Sequence, residues 1–349
     1  MRTLVAHASY SFFKRWAYIN TQASIDAQWM TYEEIKELQW GKLKRLLRHA
    51  FENAPYYNAM FQGKAIYINN MNAEEFARID VLTKDIMKRQ QCNLIAFKKS
   101  KLHCHFTSGT SANPVRVFRD TAADFSARMD LYRANLWAGW KPGKRVVWLW
   151  PEQKMVGVLE KLRRRAVEFL KNEKLFNPLN DEQYCESLTE YIRIKKPAII
   201  ILYTSFLRRW LEYIQCHHVA MPVLEAIITT GDTLSNQQRE LLKEIFKCNV
   251  FNRYGAGEFG GDFGMIASEC DAHMGMHISA ERFIIEVVDE KNNPVGPGKK
   301  GQIVITDLEN FGMPIIRYKI GDIGMIMNER CLCGRALPLL SHSLFRKIK

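Results

Sequence analysis

Between residues 145 and 252, short apolar runs rich in β-branched side chains alternate with amphipathic stretches of helical period. Few folds accept that order. Runs at 145–150, 198–203, 224–229 and 249–252 read as strands, and 154–171, 182–195, 205–216 and 236–246 read as the helices between them. Strands joined through helices pair in parallel with right-handed crossovers. The expected class is therefore α/β, with parallel or mixed sheets flanked by helices.

The flanks differ from this middle. Thr31 and Glu34 form a capping box ahead of a helical pattern that places Ile35, Leu38, Leu46, Leu47, Ala50 and Phe51 near one face, until Pro55. Two more strands at 102–106 and 115–118 and a helix at 122–137 lead into the alternation. Beyond Gly260 the β-runs 282–289 and 301–308 are separated by the turn-rich Asn292-Asn293-Pro294-Val295-Gly296-Pro297-Gly298, as in a smaller antiparallel β-lobe. The expected division is a helical region over 1–80, an α/β nucleotide-binding core over 81–260 and a β-rich lobe over 261–345.

With 47% hydrophobic and 25% charged residues the chain can bury a large core, which excludes intrinsic disorder. The formal charge of +13 attracts anions without choosing among nucleotides, CoA phosphates and acidic head groups. Lys161-Leu162-Arg163-Arg164-Arg165 is readable either as a solvated helix face or as a membrane or nucleic-acid surface. Nucleic acid rests on net charge alone and is not favoured. The eight cysteines stand singly, apart from Cys331 and Cys333. No apolar run reaches the ~20 residues of a membrane span, and no signal peptide opens the chain, so a cytoplasmic protein with reduced thiols is expected.

Three segments have the residue types for nucleotide chemistry. Thr107-Ser108-Gly109-Thr110-Ser111, between two predicted strands, offers hydroxyls and backbone N–H groups to a phosphate, or is simply a polar hairpin. Thr229-Thr230-Gly231-Asp232 and Asn252-Arg253-Tyr254-Gly255-Ala256-Gly257-Glu258 follow predicted strands, where parallel sheets bind ligands; Tyr254 can stack on a flat ring and Glu258 can hold Mg²⁺. Arg317-Tyr318-Lys319-Ile320-Gly321-Asp322 ends in a carboxylate suited to two adjacent ribose hydroxyls. Each alone is also an ordinary loop or turn.

In order and approximate spacing these segments resemble the adenylate-forming superfamily. The stretch from Leu46 to Tyr57, Ile266-Ala267-Ser268-Glu269-Cys270 and Cys331-Leu332-Cys333-Gly334-Arg335 are similar to its phenylacetate–CoA ligase and CapK-like branch. The resemblance covers about residues 30 to 345. It implies ATP-dependent activation of a carboxylic acid to acyl-AMP, followed by transfer to CoA or another thiol or polysaccharide-pathway acceptor. By position, Thr107, Ser108, Gly109, Thr110 and Ser111 would cradle phosphates. Gly231, Asp232, Asn252, Arg253, Tyr254 and Gly255 would frame the adenine, Glu258 would meet Mg²⁺ and Asp322 would hold the ribose.

The match has departures. Ala112 and Ile320 replace the usual small residues of their loops, and the family's C-terminal lid, with its lysine, would begin about where the chain stops at Lys349. A lid-less large domain is thus expected, either a ligase or a pseudoenzyme that binds a nucleotide or partner. A homodimer is left open.

Cys270, His277, Cys331 and Cys333 offer four ligands suited to tetrahedral Zn²⁺, a structural site if zinc binds and scattered thiols otherwise. Trp148, Trp150, Tyr203, Thr204, Ser205 and Phe206 lie at or after strand ends and line either an acyl pocket or the core. His103 and His105 alternate on the strand before the phosphate loop, where structural histidines are the plainer reading.

Overall fold

The computed structural model describes residues 21–106, 114–150, 158–177, 182–342 and 344–346. The chain forms two compact units. Tyr132–Tyr254 and Glu269–His273 make up the body of one, and Ala23–Leu131, Gly255–Ser268 and Met274–Lys349 form the other.

The first unit is the wound α/β layer. Val146–Leu149 pairs in parallel with Glu173–Phe176 on one side and Ile199–Tyr203 on the other, followed by Ala226–Thr230 and Asn249–Gly255. Helices Glu182–Lys195, Thr204–Cys216 and Asn236–Phe246 connect these strands. Alternate strand residues Val147, Leu149, Ile200, Leu202, Ile227 and Val250 enter one apolar cluster with Leu188, Leu207, Trp210 and Phe246 from the helices. Period 2 on the strands meets period 3.6 on the helices, so the pattern that announced the layer also fills its core. Trp210 Nε1 donates to Thr189 Oγ1 at 3.1 Å, which satisfies the core's indole. The strand Glu173–Phe176 is an addition to the expected set. It ends the parallel run, and its two charged residues suit an edge.

The second unit carries the antiparallel lobe. Phe283–Val288, Gly301–Asp307, Ile315–Gly324 and Phe345–Arg346 pair in that order, with register shifts along the central pair. His103–Phe106 and Arg116–Arg119 form a separate antiparallel ladder. Helix Tyr32–Asn53 begins with the expected capping box: Glu34 N donates to Thr31 Oγ1 at 3.2 Å and Thr31 N to Glu34 Oε2 at 2.7 Å. Pro55 both stops this helix and opens the next, Pro55–Gly63, where a missing N–H costs nothing. That second helix buries Tyr57, whose hydroxyl donates to Pro314 O at 3.0 Å and accepts from Ile316 N at 3.2 Å. The Pro-Tyr-Tyr segment thereby fixes the start of the long strand that bears Tyr318 and Asp322.

Candidate functional site

In the α/β unit the nominated residues leave the sheet from neighbouring strands, Thr229 being paired with Asn252. Gly231 follows Ala226–Thr230 with φ +96°, and a Cβ there would fall 2.2 Å from Cδ1 of Tyr203. Only glycine allows that ring to lie against the turn. Tyr203 also meets Trp150 with ring centroids 4.5 Å apart, and Trp150 meets Trp148 at 5.9 Å. An aromatic wall therefore stands at the carboxyl end of adjacent parallel strands. Phe206, by contrast, is a core residue.

Asn252 is held on several sides: its N–H donates to Glu269 Oε2 at 2.5 Å, and its Oδ1 accepts from Thr229 Oγ1 at 3.3 Å and Arg253 N at 2.9 Å. Arg239 braces Glu269 with bonds of 3.1 and 2.8 Å. Adjacent strand residues point to opposite faces. The Arg253 guanidinium is accordingly buried elsewhere and donates to Asn135 Oδ1 at 2.7 Å. Burial pulls its pKa down to about 9, so it stays charged at neutral pH. Asp232 is exposed and Tyr254 half-buried.

In the second unit, Gly255 and Glu258 sit on a loop closed by Ala256 N donating to Gly264 O at 2.8 Å. A Cβ at Gly264 would fall 2.1 Å from Ala256 O, so the loop's two limbs touch through bare backbone. Glu258 is only 5% exposed, and Tyr318 Oη donates to its Oε1 at 3.2 Å. Arg119 NH1 reaches the Glu258 carbonyl at 3.4 Å and Asp307 Oδ2 at 2.6 Å, while its Nε donates to Asp124 Oδ1 at 3.0 Å. Asp124 accepts as well from His103 Nδ1 at 2.7 Å and His105 Nε2 at 3.0 Å. Burial by itself would raise the Asp124 pKa. The hydrogen bonds from both histidines and the charges of His105 and Arg119 outweigh it and hold the carboxyl well below the usual range. His103 and His105 thus have the structural partner that the plainer reading expected.

Asp322 lies on Ile315–Gly324 after Gly321, which takes φ +97°, and is half-buried. On the same strand Arg317 turns away from any ligand role. It is buried at φ +49°, grips Glu286 with two 3.0 Å bonds and donates to Ala77 O and Ile79 O at 2.5 Å each. Sequence reasoning missed Tyr318, Arg119 and Asp124 as supports of this loop. Tyr318 lay inside a quoted motif, whereas nothing in the local sequence pairs Arg119 with Glu258, 139 positions away. Thr107, Ser108, Gly109, Thr110 and Ser111 lie outside the described residues.

The ligand atoms of Cys270, His277, Cys331 and Cys333 all lie within 4.8 Å of one another, and the first three residues are buried. His277 Nδ1 is 3.1 Å from Leu337 O, which can only accept, so Nδ1 carries the proton and Nε2 is presented to Cys333 Sγ at 3.2 Å. This is the arrangement of a metal-ligating histidine with a backbone carbonyl behind it.

No family model matches the chain. Among curated proteins it is 25% identical over 317 residues to the phenylacetate–coenzyme A ligase of Thermus thermophilus, covering 87% of this chain and 68% of that one. It is 24% identical over 328 residues to Protein CapK of Staphylococcus aureus, covering 85% and 66%. A solved 2-hydroxyisobutyryl-CoA ligase, in its postadenylation state with 2-HIB-AMP, shares the fold with TM-score 0.76 and 21% identity over 91% of this chain and 69% of that one. The chain thus shares the fold of an acyl-AMP-bound CoA ligase. In sequence it is similar to phenylacetate–CoA ligases and to CapK, of whose lengths it spans 66% to 71%. No helix among the described residues is long and apolar enough to cross a membrane.

Proposed function

We propose that this chain activates a carboxylic acid by adenylation. A carboxylate oxygen attacks the α-phosphorus of ATP, the bond to the β-phosphate oxygen breaks, and acyl-AMP and pyrophosphate result. A nucleophile, CoA or an acceptor in polysaccharide synthesis, then takes the acyl group and releases AMP. The observation that carries this reading is the Glu258 carboxylate: buried, fixed through one oxygen by Tyr318, and set on a loop too tight for side chains at Gly255 and Gly264.

In this reading Glu258 supplies a hard oxygen ligand for the Mg²⁺ that accompanies ATP, and the ion offsets charge on the phosphates. Asp322 accepts from the ribose hydroxyls. Gly231, Asp232, Asn252 and Tyr254 frame the adenine, while Arg253 and Glu269 hold that strand end in place. Trp150 and Tyr203 supply a wall for an apolar or aryl acid. The phosphates fall to Thr107, Ser108, Gly109, Thr110 and Ser111. Cys270, His277, Cys331 and Cys333 fit one Zn²⁺ as three thiolates and an imidazole, a closed set that leaves no position for a reacting group.

Calorimetry with Mg·ATP tests the magnesium assignment. Glu258→Gln keeps the hydrogen bond to Tyr318 but loses the charge, and binding should weaken about tenfold or more; unchanged affinity would remove Glu258 from the site. For substrate class, a panel of aryl and fatty acids is screened for acid-dependent pyrophosphate release, with and without the remaining third of a curated relative supplied in trans. ATP binding with no release in either arm would reassign the chain as a nucleotide-binding protein without this chemistry.

A further inference from the structure

Helix Val158–Lys171 is amphipathic, and several of its apolar side chains are exposed in the α/β unit. Leu162 is 55% exposed, Phe169 67% and Leu170 41%. At spacings of seven and eight residues these three share one stripe, with the exposed Ala166 between them. On the opposite side, Lys171 Nζ donates to Tyr132 Oη at 3.0 Å, and the Glu168 side chain is only 19% exposed, 3.8 Å from Lys174.

Helical spacing also sets positions 163 and 165, both arginine, on either side of the 162/169 stripe, and Arg165 is exposed. Apolar residues flanked by cations are the pattern of a helix lying in the plane of a bilayer surface, its apolar side in the acyl boundary and its arginines at the head groups. We propose that Val158–Lys171 docks this chain on anionic phospholipid surfaces. Charge complementarity selects this occupant: a stripe bordered by Arg163 and Arg165, on a chain of net charge +13, repels a second copy of itself and attracts acidic head groups. Peripheral attachment would bring acyl activation to a surface where lipid-borne acceptors or apolar acids are found.

Flotation of the full chain with phosphatidylcholine vesicles, with and without phosphatidylglycerol, tests this. Binding is expected only to the anionic vesicles and should fall as salt rises. The Leu162→Ser/Phe169→Ser double substitution, at two exposed positions, should cut partitioning at least tenfold while leaving the melting temperature within a few degrees. Arg163→Glu/Arg165→Glu should remove the preference for anionic lipid. Wild-type chain that floats with neither vesicle, or a serine variant that still binds as wild type, would overturn the proposal. So would a serine substitution that only converts a dimer to a monomer in gel filtration, which would give the stripe to a second copy. If the serine variant unfolds, the lipid and salt dependence of wild type and the Arg163→Glu/Arg165→Glu variant still decide.

Discussion

The two units differ in how much charge they bury: Arg133, Arg253 and Glu269 in the α/β unit, against Arg119, Asp130, Glu258, Glu281, Arg282, Asp307 and Arg317 in the other. The α/β unit buries an almost wholly apolar cluster between parallel strands and helices, with Trp210 as its largest side chain. The lobe-bearing unit buries charges: Arg119, Arg282, Arg317 and Asp307 are at most 1% exposed, and Glu258 is 5% exposed. An apolar core tolerates volume-conserving apolar swaps, which usually cost less than about 1.5 kcal/mol. A buried ion network does not, since removing one charge strands its partners in a medium that cannot solvate them. In the second unit that network fixes orientation: Arg119 ties Asp124, Asp307 and the Glu258 backbone together, and Arg282 approaches Asp130 and Asp307 at 3.8 and 3.9 Å.

The contrast is broken most severely at Asp307. Asp307→Asn keeps the shape but leaves Arg119 and Arg282 facing a neutral amide, and should destabilise by about 3–5 kcal/mol in a denaturant titration. In the apolar unit, Leu202→Ala should cost about 3 kcal/mol by cavity formation, with the lobe's contacts untouched. Gly231→Ala meets both a left-handed backbone and the Tyr203 ring, and should cost about 2 kcal/mol and disturb ATP binding more than its stability effect explains. Tyr318→Phe removes one hydrogen bond to Glu258, worth about 1 kcal/mol of stability.

A further effect is confined to acid pH. The folded pKa of Asp124 is depressed, so its contribution is complete above its ordinary value of about 3.9 and is lost as pH falls below that toward the depressed value. Asp124→Asn should flatten the acid limb of a melting-temperature profile while leaving the neutral region nearly level in slope.

The same contrast explains what could be read from sequence. Helices Glu182–Lys195 and Asn236–Phe246 fall on the expected boundaries, and the parallel strands shift by only a residue or two at most ends, because short β-rich runs alternating with helical period have few alternative readings. Glu173–Phe176 escaped because an edge strand needs no such pattern. Strands Met265–Glu269 and Met276–Ile278 escaped for another reason: they are short and mix buried Ser268, Glu269 and His277 among apolar residues. Glu258 and Asp322 stood out by motif. Their supports did not, since Tyr318 bonding to Glu258 and Arg119 bonding to Asp307 are long-range polar contacts with no period. The four Cys and His positions were legible by residue type, and their convergence within 4.8 Å is tertiary information. Elemental analysis of the purified chain should find about one zinc, lost in Cys331→Ser; a metal-free wild type would leave these as ordinary buried thiols.

The central claim is acyl adenylation, and its most direct measurement is carboxylic-acid-dependent exchange of labelled pyrophosphate into ATP. Exchange should appear only when a suitable acid is present and should collapse in Glu258→Gln. Exchange that is independent of acid, or that survives unchanged in Glu258→Gln, would contradict the account.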